Sequence, residues 1–94
     1  MAKFSAGQIV ITRGINNRIE AEPEFSEFIQ VCLSRHLSGD WGEGPICDRE
    51  QNEIALVDGD RLMSSYLSAR FKIKVWVITE CDRSVTTVLF PAEY

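Results

Sequence analysis

Thiols, carboxylates and a single imidazole are the groups in this chain that could do chemistry, and their spacing invites several readings. The tripeptide Cys-Asp-Arg occurs twice, at 47–49 and again at 81–83. Cys32 and His36, four residues apart, share one face of a helix, and with Cys47 and Cys81 they would complete a Cys₃His zinc set. Against this, no C-x₂₋₄-C knuckle is present. Cys32 and His36 also fit a helical core stripe, where a cysteine behaves as a small hydrophobe. Cys47, His36 and Asp40 can be drawn as nucleophile, base and orienter, yet no strained elbow surrounds any serine or cysteine. Glu80 and Asp82 could act as a carboxylate pair in metal-assisted phosphodiester chemistry, although two acids at a hairpin also read as solvated turn residues. Neither a phosphate-cradling loop nor a dinucleotide fingerprint is found. No catalytic residue, metal or cofactor is therefore assigned.

The elements that must position these groups can be read from periodicity. Residues 8–13 are short and β-branched and end at Gly14, as a first strand would. Residues 16–18 are expected to form a turn or linker. A helix is expected from near Pro23, with Phe25, Phe28, Ile29, Cys32, Leu33 and His36 as its apolar stripe and Gly39 as its stop. A second is expected over 45–57, closed by Gly59. Its apolar face is thin, consisting of Ile46, Ile54, Val57 and either Ala55 or Leu56, so it should lie on the surface of the fold. Residues 60–67 and 85–90 read as strands. Between them, Phe71, Ile73, Val75, Val77 and Thr79 alternate with Lys72, Lys74, Trp76, Ile78 and Glu80. The expected fold is one α+β domain over 1–94, an antiparallel sheet of three to four strands carrying two helices.

On these elements the two Cys-Asp-Arg strings separate. The first opens a helix, where Asp48 faces free backbone N–H groups. The second is a four-residue hairpin loop, in which Asp82 can bond donors two residues on. Interest then moves from the sulfur to Glu80, Asp82 and Arg83. Trp41, flanked by Gly42 and Gly44, reads as a plug at the junction of helices and sheet; displayed, it would be a partner-binding anchor.

Composition narrows the function classes. The chain has 94 residues, 45% hydrophobic and 26% charged, with 14 acidic against 10 basic groups and a formal charge of −4. That balance disfavours attraction to nucleic-acid phosphates, so the edge formed by Arg70, Lys72 and Lys74 near Trp76 reads as solvated rather than base-stacking. No stretch approaches the roughly 20 apolar residues of a membrane span, and residues 1–7 hold no apolar core of the length a signal peptide is expected to have. Three cysteines make a poor disulfide framework, as expected of a cytoplasmic protein with reduced thiols.

The stretches RHLSGDWGE and WVITECDRSVTTVLFPAEY resemble a family of small bacterial proteins carried on plasmids, phages and integrative elements, labelled plasmid-related or restriction-associated. The resemblance covers 35–94, with the tail pattern WVITE-x-DRS-x-TT-x-L-x-P-x-EY. VITRGI, at 10–15, is similar to another small family of unknown function. Cys81 stands where the family pattern has alanine, whereas Glu80, Asp82 and Arg83 belong to it. The resemblance implies a bacterial protein of mobile DNA and brings no assigned activity. The expected function is a non-enzymatic binding protein, an accessory or anti-defence (anti-CRISPR or anti-restriction) factor acting by protein–protein contact. Asp40, Trp41, Glu80, Asp82 and Arg83 are its candidate partner-binding residues. The alternative is a small nucleic-acid-handling protein or metal-assisted enzyme using Glu80, Asp82, Arg83 and His36. Oligomeric state is left open.

Overall fold

The computed structural model describes residues 2–94. Strand β1 (Gln8–Ile11) leads through Thr12 into helix α1 (Arg13–Ala21). Thr12 caps that helix, its Oγ1 accepting from the Ile15 amide at 3.4 Å. Residues 16–18, expected as a linker, are thus helical. Ile15 and Ile19, four apart, give the helix an inward stripe that outweighs the poor helix propensity of Asn16 and Asn17. Arg18 adds an ion pair to Glu22 at 2.6 Å.

Helix α2 (Phe25–Leu37) begins two residues after Pro23 and buries Phe25, Ile29, Cys32 and His36, the central residues of the expected stripe. Gly39 follows in the left-handed region at φ +86°. Helix α3 (Ile46–Asp58) ends at Gly59, also left-handed, whose N–H donates to Ala55 O. The remaining elements are β2 (Leu62–Ser68), β3 (Ile73–Thr79), β4 (Val85–Leu89) and a single 3-10 turn at Pro91–Glu93.

The class is α+β, with three helices rather than two. The four strands form one sheet in the order β1-β4-β3-β2. β2, β3 and β4 are antiparallel neighbours as expected, with Tyr66 opposite Val75 and Thr79 opposite Thr86. β1 runs parallel to β4, Gln8 beside Val85 and Ile11 beside Val88, so the sheet is mixed. Hydrophobic period reveals that a segment is a strand but carries no information about the direction of its neighbour.

The main core joins Ile15, Phe25, Ile29 and Cys32 of the helices to Tyr66, Val75, Val77 and Val88 of the sheet. A smaller cluster of Trp41, Ala55 and Leu62 lies beneath α3, with Phe4 and Leu56 against it. On the opposite face of β3, Ile78 is also buried, so the far half of that strand is covered on both sides. Trp76 meets the Tyr94 ring edge-on at 5.6 Å.

The free edge of β2 is closed by polar groups. Ser65 O accepts from Glu43 N at 2.8 Å, and Ser65 N donates to Trp41 O at 3.4 Å. The Asn52 side chain donates to Met63 O at 2.6 Å and accepts from Met63 N at 3.1 Å, so one amide serves a strand residue as a neighbouring strand would. Glu43 Oε1 accepts from Leu67 N at 3.0 Å. These bonds cover a row of groups that would otherwise invite another strand. They also fix α3 and the 40–44 loop against the sheet.

Candidate functional site

His36 lies at the inner end of α2 with no solvent exposure. Its Nδ1 is 2.5 Å from Ser64 Oγ and its Nε2 is 2.9 Å from Thr79 Oγ1. Thr79 Oγ1 is 2.7 Å from Thr86 Oγ1, which donates to Ala6 O at 2.7 Å. That terminal carbonyl can only accept, which orders every proton in the chain. Thr86 gives its proton to Ala6, Thr79 gives its own to Thr86, and Thr79 must then accept from Nε2–H. This order places a proton on Nε2. Burial disfavours a charged ring, which leaves Nδ1 as the acceptor for Ser64 O–H and both nitrogens occupied. Burial, with the Arg83 charge adding to it, lowers its pKa from 6.5 to about 4. Phe4 and Trp41 meet the ring edge-on at 5.4 and 5.6 Å.

Asp40 is held by Arg35 through two bonds of 2.7 and 3.1 Å, and it accepts from Gly42 N at 3.1 Å. The Arg35 guanidinium beside it holds its carboxyl below the usual carboxylate range. The same guanidinium reaches Glu43 at 2.6 Å. Burial pushes Glu43 up, but Arg35 and the Leu67 amide together outweigh it and the group sits low. Arg35 also lies 4.9 Å over the Tyr66 ring, and Tyr66 O–H donates to Asp40 O at 2.7 Å. Asp40 thus shapes the loop that delivers Trp41.

Trp41 is only 5% exposed and plugs the junction, the first of the two readings its sequence context allows. Its Nε1–H donates to Glu53 Oε2 of α3 at 2.5 Å. Its ring stacks on Phe4 at 6.3 Å, and Phe4 in turn lies 5.6 Å from the Arg83 guanidinium. Arg83 donates to Asp60 O at 2.7 Å, Ala55 O at 3.2 Å and Glu80 O at 3.2 Å. α3 has no basic residue in its own last turn. Arg83 supplies that charge from the hairpin, where cations favour helix carbonyls. Asp82 is exposed; its Oδ1 accepts from Ser84 Oγ at 2.6 Å and Ser84 N at 3.0 Å, and the Ser84 hydroxyl is the main cause of its low pKa. Glu80 is half-buried at the end of β3.

Trp41 and Arg83 therefore converge on α3, through Glu53 and the Ala55 carbonyl, whereas Asp40 is tied to Arg35 and lines the groove beside the helix. What they present is its outer side. Ile46 is 64% exposed, Ile54 51% and Val57 86%. The thin apolar face read from the sequence is real as a helical face, yet it points to solvent. The residues α3 buries are Asn52 and Ala55. A groove of about 490 Å³ lies beside this ridge, lined by Trp41, Gly42, Ile46, Arg49, Glu50 and Glu53.

The other groupings considered do not assemble. Cys32 and His36 are buried while Cys47 and Cys81 are exposed, and among the described residues no three His, Cys, Asp or Glu side chains cluster as metal ligands would. His36 is enclosed and Asp82 is solvent-facing, so the set of Glu80, Asp82, Arg83 and His36 shares no accessible surface. Among the described residues, no helix is long and apolar enough to cross a membrane. Sequence reading missed Ser64, Thr79 and Thr86 as a hydrogen-bonded set and Asn52 as the edge clamp. The only signal for Asn52 was a lone amide on the helix face opposite Ile46, Ile54 and Val57. By its fold the chain is a small α+β protein with a helix clamped across a sheet edge. Comparison with protein families, with curated proteins and with solved structures returns no match.

Proposed function

We propose that this chain is a non-enzymatic, cytoplasmic binding protein whose contact surface is the outer face of α3 with the groove beside it. In this reading it is an accessory or anti-defence factor of bacterial mobile DNA, acting on a host protein complex. The observation that carries the binding role is the ridge of Ile46, Ile54 and Val57, three large apolar side chains displayed on one helix while its inner face is held by polar bonds. Apolar side chains grouped on one face support this reading, because scattered single exposures would be unremarkable. The mobile-DNA setting rests on the resemblance of 35–94.

The test is co-purification of the tagged chain from a bacterial host, comparing wild type with Ile54→Ser/Val57→Ser. A specific protein should be retained by the wild type and lost by the variant, with thermal unfolding unchanged. Expression of the wild type, and not of the variant, should raise phage plating on a host with active restriction or CRISPR interference. Capture and protection that survive the double change would remove the ridge from the contact. A chain that retains no host protein and protects no phage would remove the reading itself.

A further inference from the structure

The occupant of this surface can be specified by charge and shape. Ile46, Ile54 and Val57 fall within an arc of about 80° and span about 16 Å of helix, the footprint of a second helix laid alongside. The groove at the Ile46 end has room for a large side chain and is walled by Trp41, Glu50 and Glu53. α3 carries four acids, Asp48, Glu50, Glu53 and Asp58, against the single base Arg49, a formal charge of −3. Among the described residues, Glu50 and Asp58 make no ion pair within the chain. Two copies of α3 set against one another would bring −3 against −3 and bury Glu50 beside its own image. Like charges placed across an interface cost several kcal/mol, by typical experience.

We propose that the α3 ridge and the Trp41-walled groove dock a basic amphipathic helix of a partner protein. Its apolar stripe covers Ile46, Ile54 and Val57, one large apolar side chain enters the groove, a Lys or Arg within the stripe meets Glu50, which lies inside the same arc, and another at its flank meets Asp58. This inference rests on the binding role proposed above and adds the chemistry of the partner. Helix-in-groove recognition of this kind is read by apolar anchors at helical spacing, with charges at the rim selecting the partner.

The full-length, ¹⁵N-labelled chain is titrated with three synthetic peptides of equal length: a Leu-striped, Lys-flanked helix, its scrambled isomer, and the same stripe flanked by Glu. The Leu/Lys helix should shift the amides of 46–57 selectively, with affinity falling as salt is raised. Ile54→Ser/Val57→Ser should weaken it about tenfold or more, as expected for loss of interface anchors. Glu50→Gln/Asp58→Asn should reduce its salt dependence. Absence of binding, equal binding of the scrambled or Glu-flanked peptide, or shifts centred away from α3 would overturn the proposal. So would a wild-type dimer, seen by sedimentation, that the serine pair dissociates, since that places a second copy on the ridge. If the serine pair loses its host partner while the Leu/Lys helix fails to bind, the partner chemistry falls and the binding role stands. If host capture ignores the serine pair, the ridge leaves the contact and this proposal falls with it, while the binding role stands.

Discussion

The single imidazole makes the acid stability of this protein a test of its core. His36 is the only histidine in the chain, so a change in stability between pH 7 and pH 5 is attributable to it. Its pKa is lowered from 6.5 to about 4 in the folded state, by burial first and by the Arg83 charge second. The unfolded chain therefore binds more protons than the folded one across the window from 6.5 down to 4, and stability is lost as pH falls through it. Integrated over the whole window, the shift corresponds to about 3 kcal/mol. By pH 5 the loss relative to pH 7 is about 2 kcal/mol, before the carboxylates held low, Asp40, Glu43, Asp82 and Glu93, begin to protonate. Urea unfolding at pH 7, 6 and 5 measures it directly. In the same samples, imidazole ¹⁵N shifts should report a neutral ring with its proton on Nε2 at pH 5. His36→Gln should flatten the stability profile over this range. A wild-type profile already flat from pH 7 to 5, or an imidazole that titrates near 6.5, would refute the ordered chain from Ser64 to Ala6.

Further outcomes follow from the clamps around α3. Asn52→Ala removes both partners of Met63 at the sheet edge and should cost about 2 kcal/mol in urea unfolding, with light scattering showing increased self-association. Arg83→Met strips charged donors from Ala55 O and Asp60 O and should cost about 1–2 kcal/mol, discounted because the guanidinium is partly solvated; hydrogen exchange should rise first in the last turn of α3. Gly42→Ala should be strongly destabilising in thermal unfolding, because φ is +82° and a Cβ there would stand 1.9 Å from Ser65 O. Val57→Ser, by contrast, should leave stability within about 0.5 kcal/mol of wild type.

The parts of this fold legible in the sequence are those where local pattern and tertiary role coincide. The stripe from Phe25 to His36 is one long amphipathic signal, and its buried side is the core. The alternation through Val75, Val77 and Thr79, followed by a polar loop and Val85, specified an antiparallel hairpin. α1 was lost because two asparagines carry a turn signal stronger than the two isoleucines that dock it. The direction of β1 was lost because pairing direction is set by the chain's path and not by its period. Of the candidate partner-binding residues, Trp41 and Arg83 both bond to α3, and Asp40 lies in the loop beside it. Their roles were hidden because a guanidinium reaching Ala55 O, 28 residues away, is decided by tertiary geometry. The same holds for His36, whose partners Ser64 and Thr79 lie 28 and 43 residues off in sequence.

The orientation of α3 carries an energetic argument. Burying a side chain such as Ile46, Ile54 or Val57 is worth about 1.5–3 kcal/mol each, so turning the helix over would be favourable on apolar area alone. The turned helix would withdraw the Asn52 amide from Met63, Glu53 from Trp41 Nε1 and Ala55 O from Arg83. Buried polar groups left without partners cost about 1–3 kcal/mol apiece, more where a charge is involved. The two totals are of the same order, and Ile46 and Ile54 are already partly covered as they stand, so the polar anchors offset much of the apolar gain. An inner face fixed by hydrogen bonds also separates two properties that a simple amphipathic helix would couple. Changes along Ile46, Ile54 and Val57 can alter what α3 contacts without disturbing what holds it. A helix built this way is a presented surface, and the clamps that Asn52, Trp41 and Arg83 provide are what keep it presented.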